Sequence, residues 1–144
     1  MNSIKSLIVL LGLFAFSQLN AQEVTDYDLQ NFARAYKEML HLNSVAQKKM
    51  TEIIQKEGLD LEVYHAINDS KDSEYEPDVP AAEFKKFDRV QPEIEKVQNK
   101  LEQDVEKAYN KHDLSKQDYR AIAERVKQDQ LLQIKLEKII SNLK

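Results

Sequence analysis

The sequence KHDLSKQDYRAI, residues 111–122, repeats the pattern of KEGLDLEVYHAI, residues 56–67, at an offset of 55 positions. The same register extends without a gap into the segments that precede both stretches. Identical pairs in this register are Phe32/Phe87, Arg34/Arg89, Glu38/Glu93, Lys56/Lys111, Leu59/Leu114, Tyr64/Tyr119, Ala66/Ala121 and Ile67/Ile122. Because self-similarity at a fixed period is the signature of repeated structural units, the sequence predicts an internal duplication.

Both stretches have the residues that end one helix and begin the next. Gly58 or Asp113 suits the left-handed conformation at a helix C-terminus, and Asp60 or Ser115 suits the N-cap of a following helix. Asp118 stands where a capping box would place a carboxylate. The repeated leucine and tyrosine around each cap are spaced to pack as a hydrophobic staple. These structural roles explain the repeated residues without a functional site.

A long amphipathic helix precedes each of these stretches. The first should be capped by Thr25, with Asp28 completing a capping box, and apolar residues recur at heptad-like spacing over residues 29–54. The apolar stripe returns over residues 84–109. Opposite charges one turn apart predict surface ion pairs at Glu93/Lys96, Asp104/Lys107 and Glu124/Lys127.

Two positions predict interruptions in the second half. Pro92 lies inside the second long helix, where it removes a backbone hydrogen bond and crowds the preceding turn, so a kink or a restart is expected near Gln91. The apolar stripe slips again after Lys127. Asp129 is a suitable N-cap there, so a separate terminal helix is expected after it.

The composition favours helices and excludes several classes of partner. The 144 residues include two glycines, three prolines and no cysteine, and the net charge is −4. The acidic balance argues against nucleic acid and anionic membrane surfaces as partners. We therefore predict an all-α fold of two tandem helix-hairpin repeats, forming a helical bundle or an elongated coiled-coil-like pair. The predicted single domain, residues 22–144, contains repeat one (about 25–70), an acidic linker (about 69–80) and repeat two (about 81–144).

The first residues have the pattern of a signal peptide, predicted over residues 1–21. Lys5 precedes an apolar run from Ser6 to Ser17, which is too short to span a bilayer as a helix. Ala21 provides a small residue before the expected cleavage site. We therefore expect an exported protein, periplasmic or secreted, with no stable membrane anchor after cleavage.

No residue is predicted to act in catalysis, to bind a cofactor or to ligate a metal. The histidines are His41, His65 and His112, and none forms a zinc-binding motif. His65, beside a repeated tyrosine, is the histidine most worth inspecting, although a surface role fits it better. Alternating carboxylates from Asp72 suggest a calcium loop, but Pro77 stands where an EF-hand needs glycine, so a solvated linker is preferred.

These elements resemble a bacterial family known as domain of unknown function 4168. The matching segments are Leu29-x-x-Phe32-Ala33-x-Ala35-Tyr36, Glu57-Gly58-Leu59, Tyr64-x-x-Ile67, and Leu114-Ser115-x-x-x-Tyr119-x-Ala121-Ile122 followed by Gln128-Asp129. The chain departs from the family pattern at His112-Asp113, where Glu-Gly is typical, at Pro92 and at Gln130. The resemblance implies an exported, mostly helical module, and it provides no catalytic residues to carry over.

Association is the chemistry that this sequence favours. Long apolar stripes can close on each other, on a second copy or on another protein's segment, and Met39 and Met50 are adaptable contact residues. We expect a non-enzymatic exported interaction module, in its most concrete form a holdase-like chaperone for unfolded clients. The alternatives are a self-associating structural protein of the envelope and, least favoured, a hydrolase or metal-dependent enzyme.

Overall fold

The computed structural model describes residues 23–71 and 77–143, and these ranges contain helices and no strand. Five helices follow one another in the described residues: α1 (Asp26–Lys56), α2 (Leu61–Ser70), α3 (Ala81–Lys111), α4 (Lys116–Gln128) and α5 (Gln130–Asn142). Ion pairs of Glu57 with Arg89 and of Glu38 with Lys111 show that α1 and α3 lie antiparallel. The predicted all-α helical bundle is confirmed.

The helix bounds repeat at the offset of 55 positions found in the sequence. The two long helices, α1 and α3, have 31 residues each, and both begin and end 55 positions apart, since 81 − 26 and 111 − 56 are both 55. The short helices α2 and α4 also begin 55 positions apart, at Leu61 and Lys116. Duplication as the origin of this correspondence stays a prediction.

The predicted N-caps are present at the helix starts. The Thr25 hydroxyl accepts a hydrogen bond from the Asp28 backbone N–H at 3.1 Å, and the Asp28 carboxylate accepts one from the Thr25 N–H at 2.9 Å. Ser115 and Asp118 form the same capping box before α4. Asp60 caps α2 through the Glu62 N–H at 2.8 Å.

The predicted helix ends are also present. Gly58 and Asp113 have φ values of +71° and +54°, which is the left-handed conformation expected at both positions. Asp129 ends α4 and caps α5 by accepting the backbone N–H of Leu131 at 2.9 Å. The break before a separate terminal helix is therefore confirmed.

Of the kink or restart expected near Gln91, the restart is wrong, because α3 runs through Pro92 as one helix, and the kink stays a prediction. A proline leaves the carbonyl four residues earlier without its helical hydrogen bond, and that residue is Asp88. Both Asp88 and Pro92 lie on the exposed side of α3. Water can therefore hydrate the freed carbonyl, and the helix continues.

The buried side chains form two clusters at opposite ends of the long helix pair. The first core contains Leu29, Phe32, Ala35, Tyr109, Leu114, Tyr119 and Ile122. The second core contains Ile54, Leu59, Tyr64, Ile67, Phe87, Val90 and Ile94. Partly buried residues of α5, among them Leu136, pack against the first core. Each core therefore joins the beginning of one long helix to the end of the other and to a short helix.

Two sequence predictions fall on residues outside the described ranges. The signal peptide of residues 1–21 is one, and residues 72–76 of the acidic linker, which include the start of the considered calcium loop, are the other. Within residues 23–71 and 77–143, no helix combines the length and the apolar character that a membrane span needs.

Candidate functional site

The middle of the α1/α3 pair carries the candidate site, because the two cores cover only its ends. Here the long helices border a groove of about 490 Å³, which we call the waist groove. Its lining residues are Leu42, Val45, Ala46, Lys49, Ile53, Glu93, Lys96, Val97, Lys100, Leu101 and Asp104. All of them belong to α1 or α3, so none of the short helices contributes to the groove.

The floor of the waist groove is apolar and partly open to solvent. Ala46 and Val97 are buried where the helices touch. Val45, by contrast, leaves 52% of its surface exposed, and Leu42 and Leu101 are half-buried. The apolar stripes of the long helices therefore continue between the two cores but are incompletely covered there. An apolar surface of this kind favours the binding of another apolar group.

Charged side chains line the edges of the waist groove. Lys100 donates a hydrogen bond to Asp104 at 2.7 Å, and this contact holds the pKa of the Asp104 carboxyl below its ordinary value. Lys107 contacts the same carboxylate at 3.3 Å, as the spacing of the pair predicted. The predicted Glu93/Lys96 pair is not formed among the described residues, and both side chains face the groove.

Residues that the sequence suggested for a site lie elsewhere. Met39 packs against the first core and Met50 against the second, so both methionines stabilise the fold. His65 is exposed on α2, and its ring meets the edge of Tyr64 with centroids 5.7 Å apart. Glu124 and Lys127 form the predicted ion pair at 2.8 Å on the surface of α4.

A second, smaller pocket was missed by sequence reasoning. This pocket of about 290 Å³ is lined by Arg34, Lys37, Glu38, His41, His112 and Leu143, and we call it the basic pocket. Glu38 accepts hydrogen bonds from the Lys111 ammonium at 3.0 Å and lies 2.9 Å from the His112 Nε2. The bond from Lys111 is the main reason that the pKa of Glu38 is lowered, and His112 adds to it.

The sequence contains only part of the signal for the basic pocket. Arg34, Lys37 and His41 recur at the spacing of one helix face, which a search for charged faces could have found. His112 joins them from the end of α3, and its approach depends on the tertiary fold. In residues 23–71 and 77–143, no group of three or more His, Cys, Asp or Glu side chains is arranged to hold a metal ion.

Comparison with known proteins identifies a family but no characterised relative. A family model described as domain of unknown function (DUF4168) matches residues 25–136, which include α1 to α4 and the first half of α5. Neither the curated proteins nor the solved structures contain a match.

Proposed function

The chain belongs to the DUF4168 family of unknown function, and on that premise we propose a non-enzymatic protein that binds apolar segments of other polypeptides. Its most concrete form is a holdase-like chaperone of the bacterial envelope, with the waist groove as the binding site. The predicted signal peptide, residues 1–21, supports the envelope as its place of action.

The observation that carries this proposal is the uncovered apolar floor between α1 and α3. In a closed bundle a third helix would cover this stretch, as α4 and α5 cover the first core. Here Val45 keeps 52% of its surface exposed beside Leu42 and Leu101. Burial of apolar surface favours association by about 25 cal/mol per Å², so a partner's apolar side chains would gain from entering the groove.

The charges of the groove favour an occupant with acidic residues beside its apolar ones. Lys100 already pairs with Asp104, whereas Lys49 and Lys96 form no ion pair with any residue that the structure describes. Two carboxylates line the groove, and Asp104 already pairs with Lys100. Glu93 is therefore the carboxylate left to balance the Lys49 and Lys96 ammonium groups. We therefore expect the preferred occupant to be an apolar polypeptide segment with flanking aspartate or glutamate.

Self-association is the second candidate, and a different surface favours it. The outer side of α5 exposes Leu131 by 72% and Ile134 by 56%, one turn apart. A second copy packed on this side would make a self-associating structural protein of the envelope, and its dimer contact would not involve the waist groove. Light scattering coupled to size exclusion distinguishes the two, because the groove proposal needs no stable dimer.

An enzyme is the third candidate, and two other measurements would reveal it. Hydrolysis of a model ester or peptide, or a stoichiometric metal in the purified protein, would favour a hydrolase or metal-dependent enzyme over the binding protein. The proposal assigns the waist groove no reaction, so we expect neither result.

The test follows the aggregation of a chemically unfolded model protein by light scattering. The unfolded protein is diluted into buffer with and without the chain from Gln22 onward, which carries all five described helices. We expect suppression near a one-to-one ratio, because each chain offers one waist groove. No suppression in large excess would overturn the proposal.

Two matched variants connect the result to the groove. Val45→Glu places a charge on the groove floor, and Leu131→Glu places one on the outer side of α5, where the original side chain is also largely exposed. We expect Val45→Glu to abolish suppression and Leu131→Glu to retain it. Equal loss in both variants would point to the α5 surface or to general apolarity, and would contradict the groove as the site.

A further inference from the structure

The two ends of the long helix pair have the same fold but different charges. Near the second core, the Arg89 Nε donates to the Glu57 carboxylate at 2.6 Å. Arg34 is the repeat equivalent of Arg89, and its expected partner position, 55 residues after Glu57, is His112. The carboxylate that neutralises the arginine at one end is therefore replaced by an imidazole at the other.

The replacement leaves Arg34 without a counter-charge. Its guanidinium forms no hydrogen bond or ion pair with any residue in the described ranges, although it lines the basic pocket. Lys37 adds a further positive charge at this end, because its repeat equivalent is the uncharged Pro92. The equivalent of His41 is Lys96, so that position does not add to the difference. Lys37 directs its ammonium across the basic pocket, where it donates to the Leu143 carbonyl at 2.9 Å.

The carboxylate in the basic pocket does not cancel this positive charge. Glu38 is bound by the Lys111 ammonium through both of its oxygens at 3.0 Å and also contacts His112. Lys111 does not line the pocket but balances Glu38 from beside it, so Arg34 and Lys37 leave a net charge of +2 over these four groups, with both histidines counted as neutral. A chain with a net charge of −4 thus concentrates positive charge in one concave place.

We propose that the basic pocket binds a phosphate group. The planar guanidinium of Arg34 can donate two parallel hydrogen bonds to phosphate oxygens, which is the geometry that arginine provides best. Lys37 adds an ammonium, and His41, which also lines the basic pocket, can donate one ring N–H, whereas the Nε2 of His112 is already in contact with Glu38. The volume of about 290 Å³ leaves room for a phosphate or a diphosphate, and the open mouth admits a group attached to a larger molecule.

The basic pocket is distinct from the waist groove, since no residue lines both. Loss of client binding would therefore not imply loss of phosphate binding, and the reverse also holds. A Val45→Glu chain, which should lose client binding, should bind phosphate as the unmodified protein does.

The test titrates inorganic pyrophosphate into the purified protein at low salt and follows heat and amide NMR shifts. We expect saturable binding with one site and with shifts concentrated at Arg34, His41 and His112. His112→Glu, which restores the acidic partner found at the other end, should weaken binding about tenfold or more, as should Arg34→Ala. Arg89→Ala removes the equivalent arginine at the paired end and should leave binding unchanged.

A second experiment, with lipid vesicles, identifies the source of the phosphate group. The protein is floated with phosphatidylcholine vesicles that contain or lack phosphatidic acid. Flotation that depends on phosphatidic acid and on Arg34 would assign the basic pocket to a lipid headgroup, whereas pyrophosphate binding without flotation would assign it to a soluble phosphate compound. Absence of both, or equal loss in the Arg89→Ala and Arg34→Ala variants, would overturn the proposal.

Discussion

Phe32 of α1 stacks on Tyr119 of α4 with their ring centroids 4.5 Å apart. The same two repeat positions meet again at the other end of the molecule, where Phe87 packs on Tyr64 at 5.1 Å. In each contact, the phenylalanine comes from one half of the sequence and the tyrosine from the other. The halves therefore do not close separately, because each core needs aromatic side chains from both.

Because each core contains one of these phenylalanine–tyrosine contacts, we predict that Phe32 and Phe87 contribute similarly to stability. Phe32→Ala or Phe87→Ala should each lower the free energy of unfolding by about 3–5 kcal/mol, because each leaves a cavity among buried side chains. Urea denaturation followed by circular dichroism gives these values. Leu131→Ala, at an exposed position, is the control and should change stability by about 0.5 kcal/mol or less. A loss near 1 kcal/mol in either core variant would contradict the packing described.

The capping box of α4 makes a smaller contribution. Ser115→Ala removes the hydroxyl that accepts the Asp118 N–H at 3.1 Å and should cost about 1 kcal/mol. Hydrogen exchange should increase first in the opening turn of α4, because this N–H loses its partner. Ser115→Thr keeps a hydroxyl and should recover most of the loss. Equal stability of Ser115→Ala and the unmodified protein would show that the cap is not formed in solution.

The two left-handed positions should respond to substitution with opposite signs. Gly58→Ala should destabilise the protein by about 1–2 kcal/mol, since its φ of +71° disfavours a side chain while the surrounding space is free. Asp113 has a φ of +54°, and its carboxylate accepts an exposed hydrogen bond from the Tyr27 hydroxyl at 3.0 Å, so Asp113→Gly should stabilise by only about 0.5 kcal/mol. Thermal unfolding of the two variants measures both shifts. A change of the same sign in both would argue against the shared conformation.

The sequence was a sufficient guide to the helix ends because capping is local. Thr25, Asp60, Ser115 and Asp129 each bond to groups within three residues, so the spacing of short polar residues identifies them. Helix continuity at Pro92 was not predictable in this way. It depends on which side of α3 faces solvent, and that is decided by tertiary packing.

The pairing of the stripes was beyond sequence reasoning for a related reason. Heptad-like spacing tells which face of α1 is apolar, but it does not tell that Phe32 meets Tyr119. It also gives no sign that Val45 stays partly uncovered, because coverage depends on where the short helices lie. The contact of His112 with Glu38 joins positions 74 residues apart, so each residue alone looked like an ordinary surface group.

The first core should make the protein sensitive to alkali. Burial raises the pKa of Tyr119, and also those of Tyr36 and Tyr109, because the neutral phenol is favoured inside the fold. This contribution to stability is fully present below about pH 10, the ordinary tyrosine pKa, and is lost as the pH rises through the folded-state values. The urea midpoint should therefore be lower at pH 10.5 than at pH 8.

The Tyr119→Phe variant tests the cause of this loss. It keeps the ring in the first core and removes the ionisable group, so its urea midpoint should fall less between the two pH values. Tyr27→Phe is the comparison at an exposed position, where the hydroxyl donates to Asp113 at 3.0 Å, and its urea midpoint should fall more between the two pH values than that of Tyr119→Phe. An unchanged pH dependence in Tyr119→Phe would contradict the role assigned to its burial.

The most direct test of the proposed function is site-specific photo-crosslinking to an unfolded protein. A photoreactive amino acid is placed at residue 45 on the floor of the waist groove or at residue 131 on the outer side of α5, and each chain is irradiated with a chemically unfolded client. Position 45 should give a client adduct that an excess of unlabelled unfolded protein competes away, and position 131 should give little. Adducts at position 131 alone, or none at either position, would contradict the waist groove as a binding site for polypeptides.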